Sequence, residues 1–153
     1  MNKIIISGVI TGTITGLLLL LMFAYIQIHS DIPLMDLLLN VDFIYSGPLN
    51  IVTEIGLHLI VSIVIAVLLK AVYVYKYSWY IFVTIVILLI TLALYFILQA
   101  IGHSVIIYEN RIGLTLWTIF HIGYFQLIYY MYKIGYWLPA QIWTGIFEIL
   151  NGG

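Results

Sequence analysis

The chain contains no cysteine. Disulfides, thiol catalysis and cysteine-ligated metals are therefore excluded, and only oxygen and imidazole ligands remain. Charge is nearly as scarce. Only 7% of the 153 residues are charged while 65% are hydrophobic, against about 25% charged in a soluble domain. Such a chain cannot cover a surface in water. Its formal net charge of -1 provides no basic face, so no nucleic-acid partner is expected. The composition instead implies an integral membrane protein whose principal partner is the lipid bilayer, with no room for a separate soluble domain.

Long uncharged runs are what the sequence does have. After Lys3 no charge follows until Asp31. The run Ile4–Gln27 exceeds the roughly 7–15 residues of a signal-peptide core, and no small-x-small cleavage site follows it. It reads as a retained first membrane helix, about 4–27. Gly8, Gly12 and Gly16 recur there at intervals of four, interleaved with Ser7, Thr11 and Thr15. Small residues at this spacing let another backbone approach closely, and hydroxyls can bond across the contact. They serve either a dimer seam in a homo-oligomer or, more commonly, packing within one chain.

Residues 28–49 form the longest connection. Pro33 suits the first turn of a short helix through Leu39, with Asp36 interrupting its apolar face, so that this helix lies at the interface. Phe43, Ile44 and Tyr45 suggest a loop that dips into the membrane surface, and Ser46-Gly-Pro-Leu-Asn50 is a turn signal. A second helix spans about 50–72. Lys70, Lys76 and the belt Tyr73, Tyr75, Tyr77, Trp79 and Tyr80 mark a membrane surface, where rings and snorkelling lysines collect. A third span, about 79–100, is rich in Ile, Leu and Val and can face lipid around most of its circumference. His103, Glu109 and Arg111 fall in the next connection. A fourth span, about 112–132, ends in Tyr129, Tyr130, Tyr132 and Lys133. Beyond Pro139 the apolar positions Ile142, Trp143, Ile146, Phe147 and Leu150 oppose Gln141, Thr144 and Glu148. This predicts an interfacial amphipathic helix over about 139–150, anchored by Trp137 and Trp143. The fold expected is an all-α, four-transmembrane-helix bundle in one membrane domain, 1–153.

Lysines and arginines in short loops set orientation. With four spans, Lys3, Lys70, Lys76 and Lys133 fall on one side and Arg111 on the other, so both termini are expected in the cytoplasm.

Two polar stripes interrupt the apolar spans. Glu54, His58 and Ser62 lie four apart and stack on one face of the second helix. Arg111, Thr115, Thr118 and His121 recur along the fourth. Counted from the outer surface at 1.5 Å per residue, His58 and His121 both lie roughly 12–14 Å deep. If the stripes face each other, Glu54, His58, Thr118 and His121 form a cluster in the outer half, with Arg111 and His103 at its mouth. Three uses are open to it. Polar groups can bond one another and fix helix register. Glu54 and His58 can form a proton or cation relay. His58 and His121 can ligate a divalent metal together with Glu54, or a b-type haem. Catalysis is not expected. Glu-xxx-His is not the His-Glu-xx-His of metalloproteases, and neither a nucleophile elbow nor a phosphate loop is present.

The glycine-rich first helix, the loop ending in Gly47-Pro48-Leu49-Asn50 and the apolar second helix ending near Lys70 resemble YqhR-type small four-span bacterial membrane proteins. The resemblance covers about the first hundred residues, and the amphipathic tail departs from it. It implies a four-span membrane protein and carries over no functional residue. The function expected is that of a non-enzymatic accessory or partner-binding membrane subunit, with a small transporter or ion-conducting protein as the alternative.

Overall fold

A computed structural model describes residues 2–30, 32–41, 45, 47, 49–101 and 111–135, and the regular structure among them is entirely helical. The helices are α1 (Asn2–Ser30), α2 (Leu34–Leu39), α3 (Ile51–Tyr75), α4 (Tyr80–Ile101) and α5 (Arg111–Gly135), with a 3-10 turn at Tyr77–Trp79 before α4. Four of them are long and apolar enough to cross a membrane: α1, α3, α4 with its leading turn, and α5. Their stretches of 24 to 28 residues correspond to about 36–42 Å, more than the ~30 Å hydrocarbon core. The expected interfacial helix at 139–150, with Trp137 and Trp143, lies outside the described residues. So do Asp31, Asp42, Phe43, Ile44, His103 and Glu109.

Local chemistry sets several of the helix ends. Asn50 caps α3, its side chain accepting from the Val52 N–H at 3.0 Å while its carbonyl accepts from Thr53 and Glu54. An asparagine at this position satisfies donors that a helix start leaves open. The short α2 has no side-chain cap of its own at Pro33. Gln27 supplies one from α1, its Oε1 accepting from Met35 N and Asp36 N at 3.0 and 3.1 Å. One face of α2 is buried through Leu34, Leu37 and Leu39, and Asp36 is exposed. A six-residue segment is thus fixed across one end of the bundle.

The tightest seam joins α1 to α3, and glycine makes it. A Cβ on Gly8 would sit 2.6 Å from Val67 Cα, one on Gly12 2.6 Å from Ile63 Cα, and one on Gly16 2.7 Å from Ser62 Oγ. Rising numbers on α1 meet falling numbers on α3, so the two helices run antiparallel. The Gly-xxx-Gly-xxx-Gly stretch therefore packs within the chain. Two hydrogen bonds tie the seam: Ser62 Oγ donates to the Gly12 carbonyl at 2.8 Å, and His58 Nε2 to the Gly16 carbonyl at 3.3 Å. Thr15 turns back on its own helix and bonds the Thr11 carbonyl at 2.9 Å.

Elsewhere the core is aromatic. Phe23 of α1 stacks on Trp117 of α5, with ring centroids 5.4 Å apart, and Tyr95 of α4 approaches the same indole at 5.7 Å. At the end of the bundle away from α2, Tyr73, Tyr80, Tyr129 and Tyr132 pack ring against ring. The Lys70 ammonium lies 4.5 Å from the Tyr132 ring centroid and 5.6 Å from that of Tyr73. Lys70 was expected to snorkel to a surface. It is buried instead, because the electron-rich ring faces offer the cation an attraction of about 0.5–2 kcal/mol. The Tyr132 hydroxyl donates to the Ala66 carbonyl and so fixes α5 to α3 at this end.

Much of the exterior is apolar. Ile81, Phe82, Leu89, Ile90 and Phe96 of α4 all point outward. Contiguous apolar surface on this scale marks contact with lipid or with another protein.

Candidate functional site

A cavity of about 170 Å³ lies between α1, α3, α4 and α5, with Leu38 of α2 and the following Asn40 and Val41 at one end. Most of its wall is apolar: Leu19, Leu38, Leu57, Val61, Ile65, Leu94 and Leu98. The polar residues that reach it are Asn40, Glu54, His58, Ser62, Thr91, Trp117, His121 and Tyr124. Of the lining residues, Val61 is exposed, Glu54 and His58 are half-buried, and Ser62, His121 and Tyr124 are buried.

Helical spacing explains the α3 contribution. Glu54, His58 and Ser62 share one face, and that face meets both α1 and the cavity. The α5 contribution differs from the stripe that the sequence suggested. Trp117, His121 and Tyr124, at i, i+4 and i+7, point inward. Thr115 and Thr118 bond back to the Arg111 and Leu114 carbonyls at 2.8 Å, and Arg111 is exposed. The structure therefore brings Glu54, His58, Ser62 and His121 to one cavity, and Thr118 and Arg111 are not among its lining residues. His103 lies outside the described residues.

Trp117 and Tyr124 were not expected at the site. Their one signal was the aromatic series Trp117, Tyr124 and Tyr132 at helical spacing, which on its own reads as core. All three are indeed buried. Trp117 Nε1 donates to the Thr91 carbonyl at 2.9 Å, which joins α5 to α4.

The hydrogen bonds fix where the protons lie. His121 Nδ1 faces the Trp117 carbonyl at 2.8 Å. A carbonyl can only accept, so Nδ1 carries the proton and Nε2 of the neutral ring keeps a lone pair. His58 is reversed: Nε2 carries the proton toward the Gly16 carbonyl, and Nδ1 keeps the lone pair. Ser62 Oγ gives its proton to Gly12. The 2.9 Å contact between Tyr124 and Ser62 then requires the phenol to donate and Ser62 Oγ to accept.

Metal and haem binding can be tested against this geometry. Among the described residues no three His, Asp or Glu side chains come together as a metal site. Glu54, His58 and His121 share a cavity without converging on one point. The space of about 170 Å³ is below the roughly 300–1,000 Å³ of pockets for drug-sized ligands, so a porphyrin does not fit between the two imidazoles.

Compared with known proteins, the chain matches no family model, no curated protein and no solved structure.

Proposed function

We propose that this chain is a multi-pass protein of the cell membrane with both termini in the cytoplasm, and that it works by binding rather than catalysis, as an accessory or partner-binding membrane subunit. The observation that carries this reading is the use made of the polar stripe on α3. Ser62 and His58 hold α1 carbonyls, and Ser62 also holds Tyr124 of α5. These groups fix helix register, the ordinary role of polar side chains between membrane helices. The apolar exterior and the gathering of Lys3, Lys70, Lys76 and Lys133 opposite Arg111 support the location and the orientation.

The absence of cysteine makes the orientation directly testable by single-cysteine labelling of intact cells. Asp36→Cys is expected to react with a membrane-impermeant maleimide, and Lys133→Cys only after the cells are opened. The reverse pattern would overturn the proposed topology.

A second reading, a small transporter or cation-conducting protein, is favoured by one specific observation: Glu54, His58 and His121 all reach the same cavity. The two readings separate in proteoliposomes. The accessory reading expects no pH-driven flux above that of protein-free vesicles. A flux that disappears in Glu54→Gln, with the fold intact by circular dichroism, would replace it with the transporter reading.

A further inference from the structure

From the few acceptor groups that reach the largely apolar cavity between α1, α3, α4 and α5, and from the Glu54 carboxylate among them, we infer that it binds a primary ammonium carried on an apolar body about the size of one aromatic ring. The inference deepens the second reading above but does not require transport.

The proton assignments give its first support. Thr91 Oγ1 donates to the Leu88 carbonyl at 2.7 Å, and the Trp117 indole proton is taken by the Thr91 carbonyl. Ser62, Tyr124, His58 and His121 have likewise committed their protons to the protein. Glu54, His58, Ser62, His121 and Tyr124 thus have acceptor positions to offer. His121 Nδ1 is held by the Trp117 carbonyl, and its Nε2 offers a lone pair in a ring that lines the cavity. An occupant that donates can hydrogen-bond these acceptors.

Charge narrows the donor. The Glu54 side chain reaches the cavity without an ion-pair or hydrogen-bond partner among the described residues. A carboxylate with no counterion in largely apolar surroundings favours a cation over a neutral alcohol. The rings of Trp117 and Tyr124 line the same space, and ring faces attract cations as well. A bare metal ion would leave the apolar walls unused, whereas an organic ammonium uses both kinds of surface. Size follows from the volume. A cavity of about 150 Å³ takes up benzene, so about 170 Å³ admits one ring and a short arm. Val61 lines the cavity and is also exposed on the outer surface, so an amine dissolved in lipid would meet the cavity there.

The test is titration of the full chain in lipid nanodiscs with 2-phenylethylammonium, compared with 2-phenylethanol, which matches it in size and can donate but is uncharged. Saturable binding of the amine, at least tenfold tighter than the alcohol, is expected. Glu54→Gln should weaken the amine at least tenfold and leave the alcohol unchanged. Val61→Trp, on an exposed position that needs no core repacking, should block both by filling the cavity at that point. No saturable binding of the amine would overturn the inference, and so would equal affinity for amine and alcohol or an amine affinity indifferent to Glu54→Gln. Circular-dichroism melts of each variant exclude misfolding as the cause of lost binding. Binding without flux would leave this inference standing and overturn only transport.

Discussion

Gly12→Leu is expected to abolish the folded protein, or to lower its melting temperature by more than any other single substitution on α1. A Cβ at this position would lie 2.6 Å from Ile63 Cα, 2.9 Å from Ile63 N and 2.9 Å from the Ser62 carbonyl oxygen. All three are backbone atoms, so no rotamer change can make room and α1 must move away from α3. Separation also breaks the Ser62–Gly12 and His58–Gly16 hydrogen bonds. Overpacking alone typically costs about 1–3 kcal/mol, and the lost bonds add about 0.5–1.5 kcal/mol each. Against a total stability of about 5–15 kcal/mol, that is a severe loss. Gly12→Ala should fall in the same direction with a smaller effect. The control is Gly56→Ala. Nothing lies within 4 Å of a Cβ there, and alanine is favoured over glycine in a helix by roughly 0.5–1 kcal/mol. Thermal melts in detergent followed by circular dichroism would compare the three. A stable Gly12→Leu protein would show that α1 does not pack on α3 through this seam.

Trp117→Ala should be the most damaging truncation in the core, costing about 3–5 kcal/mol. The indole is 2% exposed, stacks on Phe23, lies 4.5 Å from the His121 ring by centroids, and donates to the Thr91 carbonyl. Its loss opens a void where α1, α4 and α5 meet and enlarges the adjoining cavity. It also leaves the Thr91 carbonyl without its indole donor. Trp117→Phe separates the two effects, since it keeps most of the ring and removes only the N–H. Its penalty should be less than half that of alanine by the same melts. If phenylalanine costs as much as alanine, the hydrogen bond dominates and the packing account is wrong.

Much of the fold is legible in the sequence because a membrane helix is specified by length and composition alone. Uncharged runs such as Ile4–Gln27 form helices long and apolar enough to cross a membrane. Asn50 was likewise readable as a boundary, ahead of the helix that it caps. The α3 stripe was legible too, since residues 54, 58 and 62 must share a face whatever that face meets. The α5 stripe was not, because polar spacing does not say which side of a helix turns inward. A threonine can satisfy its hydroxyl on its own helix, as Thr115 and Thr118 do, and then needs no partner in the core. The inward side is marked by aromatic bulk at Trp117, Tyr124 and Tyr132. Lys70 shows the same limit. A lysine near a helix end has stem enough to reach water, and it is the packing around it, with the Tyr73 and Tyr132 rings facing the ammonium, that gives it a reason to remain buried.

The sequence by itself determined that this protein consists of apolar helices, where four of them run, and which residues on α3 share a face, because each is a property of one segment. Only the tertiary structure decided that the glycine seam closes on α3 of the same chain, that Gln27 caps α2, and that His58 and His121 reach one largely apolar cavity with Glu54. Those facts depend on how each helix is rotated against its neighbours. Rotation is set by close contacts such as Gly12 on Ile63 and Phe23 on Trp117, between residues far apart in the chain.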